Sequence, residues 1–154
     1  MPCRLEVILV GSARVLSAIS GKLRSVIQLR DVQLPALALE LGERFIAAGF
    51  KLALVGGPVR DLFLGRAAPD LDFTTNATPD QILDVVRGWA EATWDVGREF
   101  GTIALRKRGE DIEITTYRAD VYDAGSRKPH VRFGEKLEDD LARRDFTVNA
   151  MALR

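Results

Sequence analysis

Phe50 to Val55 is an apolar run that ends in Gly56-Gly57-Pro58, and this junction says more about the fold than any other stretch of the chain. It predicts a short buried strand turned sharply into a helical stretch over Val59 to Leu64, closed by Gly65. Adjacent glycines let the backbone approach a ligand closely, and the first amides of the following helix have no partners within it, so the turn can cradle a phosphate. Arg60, just inside that helix, can fork two donors onto phosphate oxygens; its structural alternative is an ion pair with Asp61 or another acid. Asp70 and Asp72 then lie two apart in a predicted strand from Asp70 to Thr74, where alternation sends both carboxylates to one side.

A third carboxylate joins them by the same rule. Thr102 to Arg106 and Asp111 to Thr115 alternate apolar and polar residues around Lys107-Arg108-Gly109-Glu110, which predicts an antiparallel hairpin and a sheet that is mixed rather than purely parallel. With Ile112 and Ile114 on the core face, Asp111, Glu113 and Thr115 take the opposite one. Asp70, Asp72 and Glu113 crowded into a partly desolvated cleft repel one another unless divalent cations neutralise them, and hard oxygen donors of this kind suit magnesium. Alone, an Asp-x-Asp pair often only decorates a surface strand; the glycine turn feeding it is what makes the pattern specific.

Around this centre the chain reads as alternating helices and strands. Leu37, Leu41, Phe45 and Ala48 recur at helical spacing up to a stop at Gly49. Thr78-Pro79-Asp80-Gln81 supplies an N-cap, a first-turn proline and a capping-box glutamine for a helix running to about Trp89. Ala119 to Gly134 is polar and punctuated by Gly125, Ser126 and Pro129, which predicts a long mobile loop before helices around Glu138 to Arg143 and Phe146 to Leu153. His130, the single histidine, falls in that loop and is assigned no base role.

At 154 residues, 47% of them hydrophobic, the chain is sized for one domain with a core. Its 22 basic and 22 acidic residues balance, so no overall positive field draws it to RNA or to a membrane, and any RNA grip must be local or lie elsewhere. The balance is uneven along the chain: five of the basic residues but only Glu6 among the acids fall in Met1 to Arg30. That segment, with its apolar run Leu5 to Val10, superficially suggests an organelle transit peptide, yet an irregular extension or a start codon placed too far upstream explains it better and without any function, and residues 1–30 are assigned no role. One cysteine, Cys3, cannot form an internal disulfide, and no apolar run approaches a membrane span, so a cytoplasmic protein without a membrane partner is expected.

Four ordered segments carry a family resemblance. Val55 to Arg66 (Val-Gly-Gly-Pro-Val-Arg-Asp-Leu-Phe-Leu-Gly-Arg) and Asp70-Leu71-Asp72-Phe73-Thr74-Thr75 are similar to the signature of the bacterial-type tRNA nucleotidyltransferases and poly(A) polymerases. Glu113-Ile114-Thr115-Thr116-Tyr117-Arg118 resembles that family's third-carboxylate strand, and Glu138 to Ala150, containing Arg143-Arg144-Asp145 and Asn149, resembles its ribose-recognition motif. The resemblance implies an α+β head domain over residues 31–154 with the nucleotidyltransferase fold, a mixed and mainly antiparallel sheet flanked by helices. It implies that Asp70 and Asp72 bind the catalytic metals, with Glu113 completing the carboxylate set. Gly56, Gly57 and Arg60 would hold the nucleotide's phosphates, Arg144 matches the family's nucleotide-binding arginine, and Asp145 and Asn149 match positions tied to ribose recognition and site architecture; the structural alternative for Asp145 is a helix N-cap.

The implied reaction transfers a nucleoside monophosphate from ATP or CTP to a tRNA or other RNA 3′-hydroxyl, with magnesium as cofactor and pyrophosphate as the leaving group. Pro58 departs from the small or hydroxyl residue expected in the glycine turn, but its fixed φ suits a first helical position. In the family the motif that chooses between CTP and ATP, and the helical parts that hold tRNA, follow the ribose motif, beyond Arg154. A fragment that binds nucleotide without turnover, or that needs a partner, and a nucleotidyltransferase acting on a non-RNA acceptor therefore stand as alternatives.

Overall fold

The computed structural model describes residues 7–9, 34–66, 70–121, 130–134, 136–142, 144 and 151–153. The first helix, α1 (Ala36–Ala47), buries Leu37, Ala38, Leu41 and Phe45, one stripe at helical spacing, and Gly49 follows with φ 82°, the left-handed stop its position requires. β2 (Leu52–Val55) leads into α2 (Gly57–Phe63), and β3 (Leu71–Thr75) follows, with Asp70 immediately before it. α3 (Pro79–Val86) opens on both halves of the capping box: Thr78 N donates to Gln81 Oε1 at 2.9 Å and Gln81 N to Thr78 Oγ1 at 3.4 Å. It ends three residues before Trp89 because Gly88 turns the backbone to φ 72°. The hairpin is β5 (Thr102–Lys107) and β6 (Glu110–Thr116), joined through Arg108 and Gly109, both at positive φ.

Three other strands complete the main sheet: β1 (Val7–Leu9), β4 (Ala92–Trp94) and β9 (Met151–Leu153), in the order β1-β9-β2-β3-β6-β5-β4. All neighbours are antiparallel except β3 and β6, so the mixed, mainly antiparallel sheet expected from the sequence is what the chain forms. β1, from within the first thirty residues, pairs with β9 through Val7↔Leu153, Ile8↔Ala152 and Leu9↔Met151. One sheet face carries Leu54, Leu71, Phe73, Ile103, Leu105, Ile112, Ile114 and Leu153, packed under α1 and under Ile82 and Val86 of α3. Burying each such side chain is worth about 1.5–3 kcal/mol, which makes this layer the main source of stability. On the other face a smaller cluster, Ala53, Val55, Tyr117 and Ala152 with Leu137 and Leu141 of α4 (Leu137–Ala142), occupies only the β2–β9 side.

Two expectations are corrected. The polar stretch from Ala119 to Gly134 is no continuous loop: β7 (Arg118–Val121) and β8 (His130–Phe133) pair antiparallel, Arg118 opposite Phe133 and Val121 opposite His130, and residues 122–129 lie outside those described. The stretch is anchored from its ends, where Gly134 N donates to Tyr117 O at 2.6 Å and Phe133 lies so close to Gly101 that a Cβ there would sit 2.7 Å from its ring. The helix expected over Phe146 to Leu153 is likewise not formed at its C-terminal end, because Met151–Leu153 is β9, hydrogen-bonded on both sides by β1 and β2. Ladder partners distant in sequence override a locally helix-compatible segment. β4 and the 3₁₀ turn Arg98–Phe100 were not anticipated; both are too short to leave a periodic signal. Among the described residues no helix is long and apolar enough to cross a membrane.

Candidate active site

The polar face of the sheet is built row by row. Parallel pairing sets Asp72 of β3 directly opposite Glu113 of β6, and Thr74 opposite Thr115. Glu113 is exposed between buried Ile112 and Ile114, as alternation requires, and Asp72 is half-buried. Directly opposed like charges in a sheet repel, and the Asp72 carboxyl is held above its ordinary range, first by burial and then by Glu113, with Arg144 pulling it back and Asp70 adding the least. Asp70, Asp72 and Glu113 thus share one electrostatic neighbourhood, and Arg144 lies within it.

The glycine turn arrives at the same level. The β2–β3 register Leu52↔Thr75, Ala53↔Thr74, Leu54↔Phe73, continued by one residue, brings Val55 beside Asp72. Gly56 then leaves the strand end with φ 73° and ψ −137°, a backbone conformation only glycine adopts without strain. Gly56→Ala should therefore cost about 1–3 kcal/mol, read as a lower urea midpoint; an unchanged midpoint would contradict this reading of the turn. The Arg60 guanidinium lies over Gly57, with Nη2 3.7 Å from where a Cβ would stand, and forks onto Asp61 at 2.9 and 3.1 Å. The ion pair set beside its phosphate role is thus formed, and it holds the Asp61 carboxyl below its usual range. Both side chains keep solvent access, so the pair is a weak tether from which Arg60 can turn to a phosphate.

Asp72 decides a testable pH dependence. A carboxyl whose folded pKa is raised binds its proton more tightly in the folded state, so stability falls as pH rises from the ordinary carboxylate value through the raised one. Asp72→Asn removes that loss. The variant should melt higher than the parent at pH 7, with the difference shrinking as pH falls below the ordinary carboxylate value; equal melting temperatures at pH 7 would refute the repulsion.

The donor chemistry was tested against a divalent cation. Among the described residues no group of three or more His, Cys, Asp or Glu side chains is gathered tightly enough to cage a metal. Magnesium does not need such a cage: it is usually held by one or two carboxylates, with substrate phosphates and water filling the remaining positions. An adjacent Asp72 and Glu113, mutually repelled and level with a glycine turn, fit that requirement.

Residues 52–154 match the family described as the Poly A polymerase head domain. This chain belongs to that family. As a poly(A) polymerase head domain it is 38% identical over 126 residues to the CCA-adding enzyme of Listeria monocytogenes serovar 1/2a, covering 81% of this chain and 30% of that one. It is 43% identical over 112 residues to the CCA-adding enzyme of Staphylococcus haemolyticus, covering 72% and 27%. Among solved structures, the Bacillus stearothermophilus CCA-adding enzyme in complex with CTP superposes with a TM-score of 0.62 at 38% identity over 75% of this chain and 26% of that one. A tRNA nucleotidyltransferase complexed with a primer tRNA and an incoming ATP analog superposes with a TM-score of 0.56 at 31% identity, covering 73% and 30%. The chain thus spans about 30% or less of these relatives, which bear out the family resemblance and the nucleotidyltransferase fold.

The head domain also contains a residue that the sequence reading passed over. Asp140 of α4 is fully buried and reaches across to the polar sheet face: Thr74 Oγ1 lies 3.2 Å from its Oδ2, Arg118 N donates to its Oδ1 at 3.1 Å, and Arg144 Nη2 donates to Oδ2 at 3.2 Å. Arg144 is thereby pinned at the edge of the carboxylates, and its Nε is buried with no hydrogen-bond partner among the described residues. A guanidinium with an unmet donor facing a polar site is suited to an anion. The signal for Asp140 was available, since it falls between Leu137 and Leu141 on the face of α4 that packs against the sheet. Asp145 and Asn149 lie outside the described residues.

Proposed function

We propose that this chain is the catalytic head of a magnesium-dependent enzyme that transfers a nucleoside monophosphate from ATP or CTP to the 3′-hydroxyl of tRNA. The observation that carries the reading is the placement of Asp72 and Glu113 side by side, level with Gly56-Gly57 and within the field of Arg144. The CTP and primer-tRNA complexes of its relatives support it. The amides of Gly56 and Gly57, with Arg60 and Arg144, bind the triphosphate; Asp145 and Asn149 recognise the ribose 2′-hydroxyl, which a deoxynucleotide lacks. Asp70 and Asp72 would hold magnesium, with Glu113 completing the carboxylate set. When bound, magnesium supplies Lewis acidity that eases loss of the hydroxyl proton and neutralises charge on the leaving group. The hydroxyl oxygen bonds to the α-phosphorus, the bond to the β-phosphate bridging oxygen breaks, and pyrophosphate departs with that electron pair. Arg60 and Arg144 stabilise the charge that develops on the phosphates. The cytoplasm, where tRNA and nucleotides meet, is the compartment this reading implies.

The test has two parts. Calorimetry of the chain with CTP or ATP should show binding that magnesium strengthens and EDTA abolishes. A chimera carrying residues 52–154 in place of the matching head of the Bacillus stearothermophilus enzyme should extend a tRNA lacking its 3′ end and release pyrophosphate. Nucleotide binding indifferent to magnesium, or a folded chimera that adds no nucleotide, would overturn the proposal.

A further inference from the structure

Beyond the carboxylates, the polar sheet face ends in an aromatic ring. Sheet register continues the Asp72–Glu113 row outward: Glu113 stands opposite Ala104 of β5, and Ala104 opposite Trp94 of β4. Directly opposed residues share a face, so Asp72, Glu113, Ala104 and Trp94 form one transverse line. Trp94 is 44% exposed, so part of its ring is open to solvent at the end of this line. The Arg106 guanidinium lies over one face of its ring, 6.0 Å from the centroid, and is itself forked onto Asp111 at 2.7 and 2.9 Å, which holds the ring in place. Ala104 keeps the floor low between the ring and Glu113.

We infer that Trp94 is a stacking platform for the terminal base of the RNA strand that receives the nucleotide. This rests on the proposed function, and the direction of the chemistry selects the occupant. In-line displacement places the attacking hydroxyl opposite the departing pyrophosphate. The glycine turn and Arg60 lie on the β2 side of Asp72, so the acceptor strand enters from the β6–β5–β4 side, where Trp94 stands. Neighbouring strands are about 4.8 Å apart, so Trp94 is about 10 Å from Glu113 across the sheet, within reach of a base whose own 3′-hydroxyl lies at the carboxylates. Stacking on an aromatic ring tolerates any base. In a chain with no overall positive charge, this is a local grip on RNA.

The test measures two ligands on the same protein. A 5′-labelled single-stranded RNA ending in a 3′-cytidine is titrated by fluorescence anisotropy, and CTP with magnesium by calorimetry. Trp94→Ala should weaken RNA binding about tenfold or more and leave CTP affinity and melting temperature unchanged, while Trp94→Phe restores most of the loss. Ala104→Leu, which raises the floor beside an intact ring, should weaken RNA in the same way. RNA affinity unchanged in Trp94→Ala, RNA and CTP weakened equally, or a parent chain that binds CTP but no RNA would each overturn the inference. Loss of magnesium-dependent CTP binding in the parent would instead strike the proposed function itself.

Discussion

Asp72→Asn, placed in the chimera described above, is expected to lower the rate of nucleotide addition at least about a thousandfold, equivalent to roughly 4 kcal/mol of lost transition-state stabilisation. The substitution keeps the side chain's shape and removes only the charge, so binding and neutralisation of the cation are what it tests. Unfolding cannot account for the loss, because relief of repulsion from Glu113 and Asp70 and of the burial penalty should make the same variant more stable at pH 7. Opposite signs for activity and stability are the mark of a functional site that carries electrostatic strain. Single-turnover rates at saturating magnesium and CTP, beside a thermal melt, decide the matter: a variant within tenfold of the parent would remove Asp72 from the metal site.

Asp140→Ala is expected to act on stability instead, costing about 3–5 kcal/mol, a large share of the 5–15 kcal/mol that holds a domain of this kind together. The buried carboxylate faces the Thr74 hydroxyl, the Arg118 amide and the Arg144 guanidinium together, so its removal takes the counter-charge from Arg144 and an acceptor from the Arg118 amide, while the Thr74 hydroxyl keeps the Thr115 carbonyl. Urea unfolding would report the loss as a lower midpoint at constant slope. Removing the orphaned charge as well, in Asp140→Ala with Arg144→Met, should recover part of the stability while nucleotide binding stays impaired. A loss below about 1 kcal/mol would show that Asp140 is dispensable to the packing of α4 on the sheet.

Signals local in the chain made much of this site legible beforehand. The alternation of Ile112, Glu113 and Ile114, the Gly56-Gly57 turn and the Thr78 capping box each depend on residues within a few positions of one another, and each forms as expected, whereas the strand that carries Asp72 begins at Leu71, one residue after Asp70. β9 was misread because its partners are remote: Met151–Leu153 becomes a strand only where β1 and β2 offer ladders on both sides, whereas β8 pairs with the neighbouring β7 across a polar, turn-rich stretch that carries no alternation signal. Asp140 was missed for a related reason, since the value of a buried acid depends on the donors around it, and those come from β3, the start of β7 and Arg144, two residues past the end of α4.

The amino-acid order alone fixed which side chains share a face, because periods of 2.0 and 3.6 are set by backbone geometry. It also fixed where the chain turns, because a left-handed residue such as Gly56 has no side-chain-bearing substitute free of strain. Which faces meet was settled by the folded chain. The parallel pairing that sets Asp72 against Glu113, the row that runs on to Trp94 and the reach of Asp140 to Thr74 all join residues distant in sequence. Those contacts form only once the apolar layer beneath the sheet is buried, because that burial offsets the entropy of closing the long loops between them.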